Sequence, residues 1–348
     1  MAFTGDIDFK SRGIDFEYVN GMTTLPAVIN VCKVTINANI LNFTKLDGTI
    51  ETVTLGEAMQ EGAAGKIFSI GDKQVLKIIE PRHRYNTKEN YTFDVIQEAM
   101  MQIIIYESSK SNAYGPFCPE MSLCGKDSNG NLYLINERLN VNLYDLFSTK
   151  EHAHIINKNT VTTFISITKA VATMLIELYK SLQFNHRDLH TKNIMVKLYE
   201  EQINGVRLID FGSSCLIYKG LALKTKSKDT LATRLRCESK IRDMHFYLST
   251  VIQNQILRET TSYLKKEDLG VNAKWGDAVK AEYPSPLENI IQAICQLLTK
   301  NEMILRLGTF SYYKLTSSSY PIDKAKLKVT KLCNLLLRGK GLHFLTTS

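Results

Sequence analysis

The stretch His186-Arg187-Asp188-Leu189-His190-Thr191-Lys192-Asn193, followed after a gap by Asp210-Phe211-Gly212, constrains this chain more than any other part of it. Its flanks read as scaffolding. Thr160 to Gln183 is a long amphipathic helix leading into the stretch, and Phe164, Ile167, Val171, Met174 and Leu178 on it are core-type residues. Asn193-Ile194-Met195-Val196 and Val206-Arg207-Leu208-Ile209 read as two short strands joined by a turn region containing Glu, Asn and Gly. Such a hairpin places Asn193 and Asp210 side by side. A polar loop carrying two carboxylates and a carboxamide is thus expected, held between a helix and a hairpin.

These segments resemble the catalytic loop and the metal-binding motif of protein kinases, which read H-R-D-L-x-x-x-N and D-F-G. Chance agreement is on the order of one in ten billion per start position, before the variable gap is allowed for. The resemblance implies a role for each residue. Phosphoryl transfer needs a carboxylate at the attacking hydroxyl and oxygen ligands for a metal, because charge builds on the transferring group. Asp188 would orient the substrate hydroxyl and accept its proton. Asn193 and Asp210 would hold Mg, or Mn in its place, against the phosphates of ATP. Phe211 would pack under the helix that positions the site, and Gly212 would give the backbone freedom to switch.

Upstream residues extend the resemblance. Thr52–Leu55 and Lys66–Ile70 read as two strands, and Lys73–Ile79 as a third after the Gly71-Asp72 turn. Between the first two, Gln60-Glu61-Gly62-Ala63-Ala64-Gly65-Lys66-Ile67 keeps the second and third glycines of the kinase phosphate loop, Gly62 and Gly65, with Gln60 in place of the first. Two glycines three apart are, taken alone, most often a turn. Lys77, in Val75-Leu76-Lys77, stands where the kinase pattern puts the lysine for the α and β phosphates. Thr92 to Ser109 is helical in pattern, with Phe93, Ile96, Met100, Ile103 and Ile104 recurring at three and four. Glu98 on it would pair with Lys77, with Glu89 as the alternative. Leu132–Ile135 reads as a strand, and Asn136–Leu139 as a hinge whose Glu137 and Leu139 would meet adenine through the backbone.

The resemblance implies an α+β, two-lobed protein-kinase-like fold. A small antiparallel-sheet lobe would cover 45–138, and a mainly helical lobe 139–348. Residues 1–44 would be an extension before it. Val28 to Phe43 alternates enough to suggest strands, through Val34, Ile36, Ala38 and Ile40.

The pattern bends in informative places. His190 follows Asp188 by two residues, as in haspin-type Ser/Thr kinases, where most Ser/Thr kinases have lysine. Lys192 comes two later, where tyrosine kinases often place arginine. Either His190 or Lys192 would supply a cation near the transferring phosphate. D-L-H-x-x-N is also common in small-molecule phosphotransferases of the aminoglycoside and choline kinase kind, but these usually lack an arginine such as Arg187. In protein kinases that arginine can bind a phosphorylated residue of the activation segment, which here runs from Asp210 to about Arg242. A-P-E is missing, with Cys237-Glu238-Ser239 only a faint echo. Asp243 is assigned to brace the catalytic loop, and Arg306 resembles the late arginine of the large lobe. A similar mixture occurs in kinases of large DNA viruses.

Composition sets outer bounds. The 348 residues are 44% hydrophobic and 22% charged, enough for a sizeable core, and carry a net charge of +8. No dense basic tract with interleaved aromatics gives a firm nucleic-acid signal. No transmembrane run and no signal peptide are read. Seven cysteines without a C-x-x-C pair disfavour a disulfide framework and suit a reducing, intracellular compartment, cytoplasmic or nuclear, or a host cell or virion for a viral enzyme. The expected activity is an ATP- and Mg-dependent kinase acting on protein substrates. The alternatives are a small-molecule kinase and a pseudokinase scaffold that binds partners without turnover.

Overall fold

The computed structural model describes residues 2–62, 65–80, 88–113, 115–148, 160–200 and 202–224, with 152, 155, 243 and 247 as isolated positions. The later activation segment, Cys237-Glu238-Ser239, Arg306 and the tail lie outside the described residues.

Sheet formation begins well before the strands read from Thr52 onward. After a short 3-10 turn at Lys10–Arg12 come β1 (Ile14–Asp15), β2 (Asn30–Asn37), β3 (Ile40–Thr44) and β4 (Ile50–Thr54). β5 (Ala58–Gly62), β6 (Gly65–Ile70) and β7 (Gln74–Ile79) follow, then α1 (Lys88–Ser109), β8 (Met121–Lys126) and β9 (Leu132–Glu137). All nine strands share one sheet, in the order β4-β3-β2-β8-β9-β7-β6-β5 with β1 on β2. The expected antiparallel sheet is therefore mixed, because β2 and β8 run parallel, with Cys32 opposite Gly125. Parallel neighbours need a long crossover, and the chain between β2 and β8 supplies it.

The strand read at Thr52–Leu55 does not pair with Lys66–Ile70. It pairs with β3, Leu41 opposite Val53, and β5 takes the place beside β6. The reason is local: residues 37–54 make their own antiparallel ribbon, turning at Ala38, which has φ 54°, and at Gly48. Val34 is buried as its alternation predicts, but Ile36 and Ile40 are 50% and 39% exposed. They sit at the ribbon's turn, beyond the core, while Leu41 and Phe43 take the inner face. There Phe43 meets Tyr133 edge-on, ring centroids 6.5 Å apart.

α1 is buried on more than one stripe. Ile96, Met100, Ile103 and Ile104 are covered, and so are Met101 and Ile105. The helix packs on β8 and β9 and also on β13 and β14, and its core cluster includes Phe9, Ile14 and Phe16. Fully burying each such side chain contributes about 1.5–3 kcal/mol.

Below the sheet lie β10 (Val141–Asn142), α2 (Leu143–Ser148), α3 (Thr160–Leu182), β11 (Ile194–Tyr199), β12 (Gln202–Leu208), β13 (Cys215–Tyr218) and β14 (Leu221–Lys224). The predicted hairpin forms with Ile194 opposite Leu208. Its turn, however, is at Glu200, with φ 46°, and Asn204-Gly205 lie inside β12. The described residues are α+β. Cys32, Cys118 and Cys124 are buried free thiols, whereas Cys215 is disulfide-bonded, which the scattered cysteines did not suggest.

Candidate active site

β7 and α1 bring the first pair together. Along β7, Leu76 points into the sheet's inner cluster, so its neighbour Lys77 projects from the opposite face. Lys77 Nζ stands 3.2 Å from Glu98 Oε1, with the side chains 21% and 12% exposed. Glu98, the first of the two candidate glutamates, meets the lysine; the side chain of the alternative, Glu89, lies outside the described residues. Burial raises the Glu98 pKa, Lys77 opposes that rise, and the nearby Asp210 carboxylate adds to it.

Asp210 enters the same cluster from the segment after β12. Burial pushes its pKa up, but Lys77, His186, the Gly212 N–H and His190 outweigh burial and hold the carboxyl below its ordinary value. Two carboxylates so close cannot both ionise freely, and their surroundings push their pKa values apart. Asp210 has φ 63°, a left-handed backbone that non-glycine residues seldom adopt. Phe211 is fully buried, 5.5 Å from the His186 ring and 6.0 Å from Phe184. A Cβ on Gly212 would stand 3.2 Å from Glu98 Oε2 and 3.3 Å from Asp210 Oδ1, so a side chain there would crowd both carboxylates.

The loop from His186 to Asn193 is fastened from three sides. Asp243, placed by the sequence as a brace, accepts the backbone N–H of His186 at 2.7 Å and of Arg187 at 2.8 Å. This holds Arg187 at φ 69°, with its side chain buried. Such strain costs on the order of 1–3 kcal/mol and persists only where the surroundings over-determine it. The His186 Nε2–H donates to Ile209 O at 2.9 Å, and Ser214 Oγ donates to His186 O at 3.0 Å. Asn193 Nδ2 donates to Asp188 O at 2.9 Å, and Ile209 N–H to Asn193 O at 3.0 Å. The hairpin thus sets Asn193 beside the strand end that leads to Asp210.

His190 Nε2 is 3.9 Å from Asp188 Oδ2. Burial lowers the His190 pKa, and Asp188 only partly offsets it. Lys192 Nζ lies 4.9 Å from the centre of the Tyr144 ring, a cation–π contact with α2. Glu137 ends β9, and its carboxylate meets Lys197 of β11 at 2.5 Å, so the side chain ties the sheet to the hairpin below. Leu139 is buried just beyond it. Gly62 and Gly65 face each other across β5 and β6. Gly65 has φ 136°, and a Cβ there would stand 2.0 Å from Ile78 O, so only glycine fits. Spacing in the sequence did not single out Tyr144 or Lys197, because each acts from a different element than its partner.

The donor set fits a hard cation. Asp210 is kept ionised, and Asn193 spends its N–H on Asp188 O, leaving its carboxamide oxygen as a ligand. Among the described residues no group of three or more His, Cys, Asp or Glu could hold a metal unaided. A magnesium ion here would share its coordination with a bound ligand's oxygens, as Mg commonly does with phosphates.

Among the described residues no helix is long and apolar enough to cross a membrane. No family model matches the sequence, and the search of curated proteins found no match. Solved structures similar to the chain include vaccinia related kinase 3, at 15% identity and TM-score 0.36, covering 50% of this chain and 50% of that one. The BubR1 kinase domain is similar at 14% identity and TM-score 0.36, covering 56% of this chain and 52% of that one. The chain spans about half the length of each of these kinase structures, at 50% and 52%.

Proposed function

We propose that this chain is an ATP- and Mg-dependent protein kinase that transfers the γ-phosphoryl group of ATP to protein hydroxyls, those of serine and threonine. The observation that carries the reading is the convergence of Lys77, Glu98 and Asp210 in one electrostatic cluster beside the loop of Asp188 and Asn193. Lys77, held by Glu98, binds the α and β phosphates, the paired strand ends at Gly62 and Gly65 lie over them, and the backbone at Glu137 and Leu139 meets adenine. Asp188 orients the acceptor hydroxyl and takes its proton as the new O–P bond forms and the bond to the β-phosphate oxygen breaks, with ADP leaving. Magnesium, when bound by Asp210 and Asn193, neutralises charge on the phosphate oxygens. His190, its pKa depressed by burial, is neutral near pH 7, so Lys192 is the cation on this side of the loop.

His190 supports an atypical enzyme like the haspin-type kinases. Its place 3.9 Å from Asp188 also supports a second reading, a small-molecule phosphotransferase. Both are tested by incubating the chain with labelled ATP and Mg and either mixed proteins or small alcohols and amines. The expected result is label on protein serine and threonine, falling about 10²–10⁴-fold in Asp188→Asn. Undiminished transfer by that variant overturns the mechanism, and label on small molecules alone selects the second reading.

A further inference from the structure

Residues 2–18 reach the proposed machinery from two sides without offering it a reacting group. On one side they hold the β13–β14 hairpin, which starts just after Gly212. Tyr218 Oη donates to Gly5 O at 2.8 Å, Tyr18 Oη donates to Lys219 O, and Lys219 pairs with Asp6. Phe9, 1% exposed, packs edge-on against Tyr218 at 6.5 Å. On the other side Arg12 reaches α1 and β8. Its guanidinium donates to Glu120 Oε1 at 2.7 Å and Met121 O at 2.6 Å, and stands 3.4 Å from Glu107 near the end of α1.

The hairpin in turn holds the site. Lys224 N–H donates to Gln97 Oε1 at 3.2 Å, next to Glu98. Asn185 and Cys215 exchange backbone hydrogen bonds at 2.9 and 3.0 Å, next to His186. α1 is therefore gripped near Glu98 through the hairpin, and again at Glu107, about 13 Å further along the helix. A packed helix moves as a rigid body, and a slide of 1–2 Å, the scale of about one such helix shift, would break the 3.2 Å contact of Glu98 with Lys77.

We propose that residues 2–18 form a built-in strap, with Arg12 as a positioning residue that keeps α1 where Glu98 meets Lys77, and with Tyr218 tying the hairpin after Asp210 to the same frame. The consequence for turnover rests on the phosphotransferase reading; the effect on α1 does not. Arg12 suits the role because its planar fork serves two carboxylates and a carbonyl at once, which a lysine cannot reproduce.

The test uses the full chain and compares wild type with Arg12→Ala and Arg12→Lys by amide hydrogen exchange and by steady-state kinetics. In Arg12→Ala, exchange in α1 is expected to rise roughly tenfold while β9 stays as in wild type, and kcat to fall by a similar factor with the protein-substrate KM unchanged. Arg12→Lys is expected to fall between the two on both readouts. Wild-type exchange in α1, or an equal rise through β9 and α3, overturns the proposal. Should Arg12→Ala fail to fold, Tyr218→Phe removes one hydroxyl; faster exchange confined to β13–β14 and α1 supports the strap, and wild-type exchange there refutes it. Exchange is read without catalysis, so a chain in which neither wild type nor Asp188→Asn transfers phosphate sinks the kinase reading and leaves this test standing.

Discussion

Replacing Glu98 by glutamine separates the charge of the Lys77–Glu98 pair from its shape. The two groups are 3.2 Å apart and mostly shielded from water. At an effective dielectric of about 20, unit charges at that separation attract by about 5 kcal/mol before desolvation is counted. Glutamine keeps an oxygen for the ammonium, so about half of that attraction is expected to be lost. A loss of about 2–3 kcal/mol corresponds to about a 30- to 160-fold fall in kcat/KM for ATP. The pH dependence gives a sharper signature. Glu98 must be ionised to hold Lys77, and burial raises its pKa above the ordinary 4.5. Wild-type kcat/KM should therefore decline on the acid side sooner than an exposed glutamate would dictate, and Glu98→Gln should lack that limb. The stability term has the opposite sense: the folded state holds this proton more tightly than the unfolded, so the Glu98 contribution weakens as pH rises from 4.5 through the folded pKa. Phosphotransfer assays and urea unfolding across pH check both. An acid limb that persists unchanged in Glu98→Gln would refute the reasoning.

Two further outcomes are expected. Asp243→Ala leaves two buried backbone N–H groups without their acceptor, at about 1.5–3 kcal/mol each; urea unfolding should show a loss of about 3–6 kcal/mol, and a wild-type midpoint would remove Asp243 from the role of brace. His190 should titrate below its ordinary 6.5 because of burial, so its stability contribution falls as pH drops below that value, where the unfolded chain binds the proton first; an imidazole NMR titration at or above 6.5 contradicts this.

Much of the candidate site is legible in the chain itself. Asp188, Asn193 and Asp210 lie in fixed local spacing, and a strand, a turn and a loop encode that spacing directly. Glu98 can be found because α1 shows helical periodicity and few acidic residues to weigh. Asp243 is legible as a brace only through the resemblance of residues 241–248 to the protein-kinase segment that carries such an aspartate. Other features are not. The pairing of β4 with β3 rather than β6 is a matter of which strand lies beside it in space, and the residues of Thr52–Leu55 read the same for either partner. The second buried stripe of α1 reflects its packing on the β13–β14 hairpin as well as on β8 and β9, and the sequence of the helix does not show that second cover.

The candidate chemistry-bearing side chains can be read along the chain, because their spacing follows from neighbours within one turn of helix, one strand or one loop. The tertiary structure alone decided what each side chain is held by. Arg12 finds Glu120, Glu137 finds Lys197, Lys192 finds Tyr144, and Asp243 holds Arg187 in a left-handed backbone. Those partners are separated by tens of residues or more. Polar complementarity between distant elements has no period and leaves no trace in local spacing; it is fixed only when burial of the shared core brings the elements together.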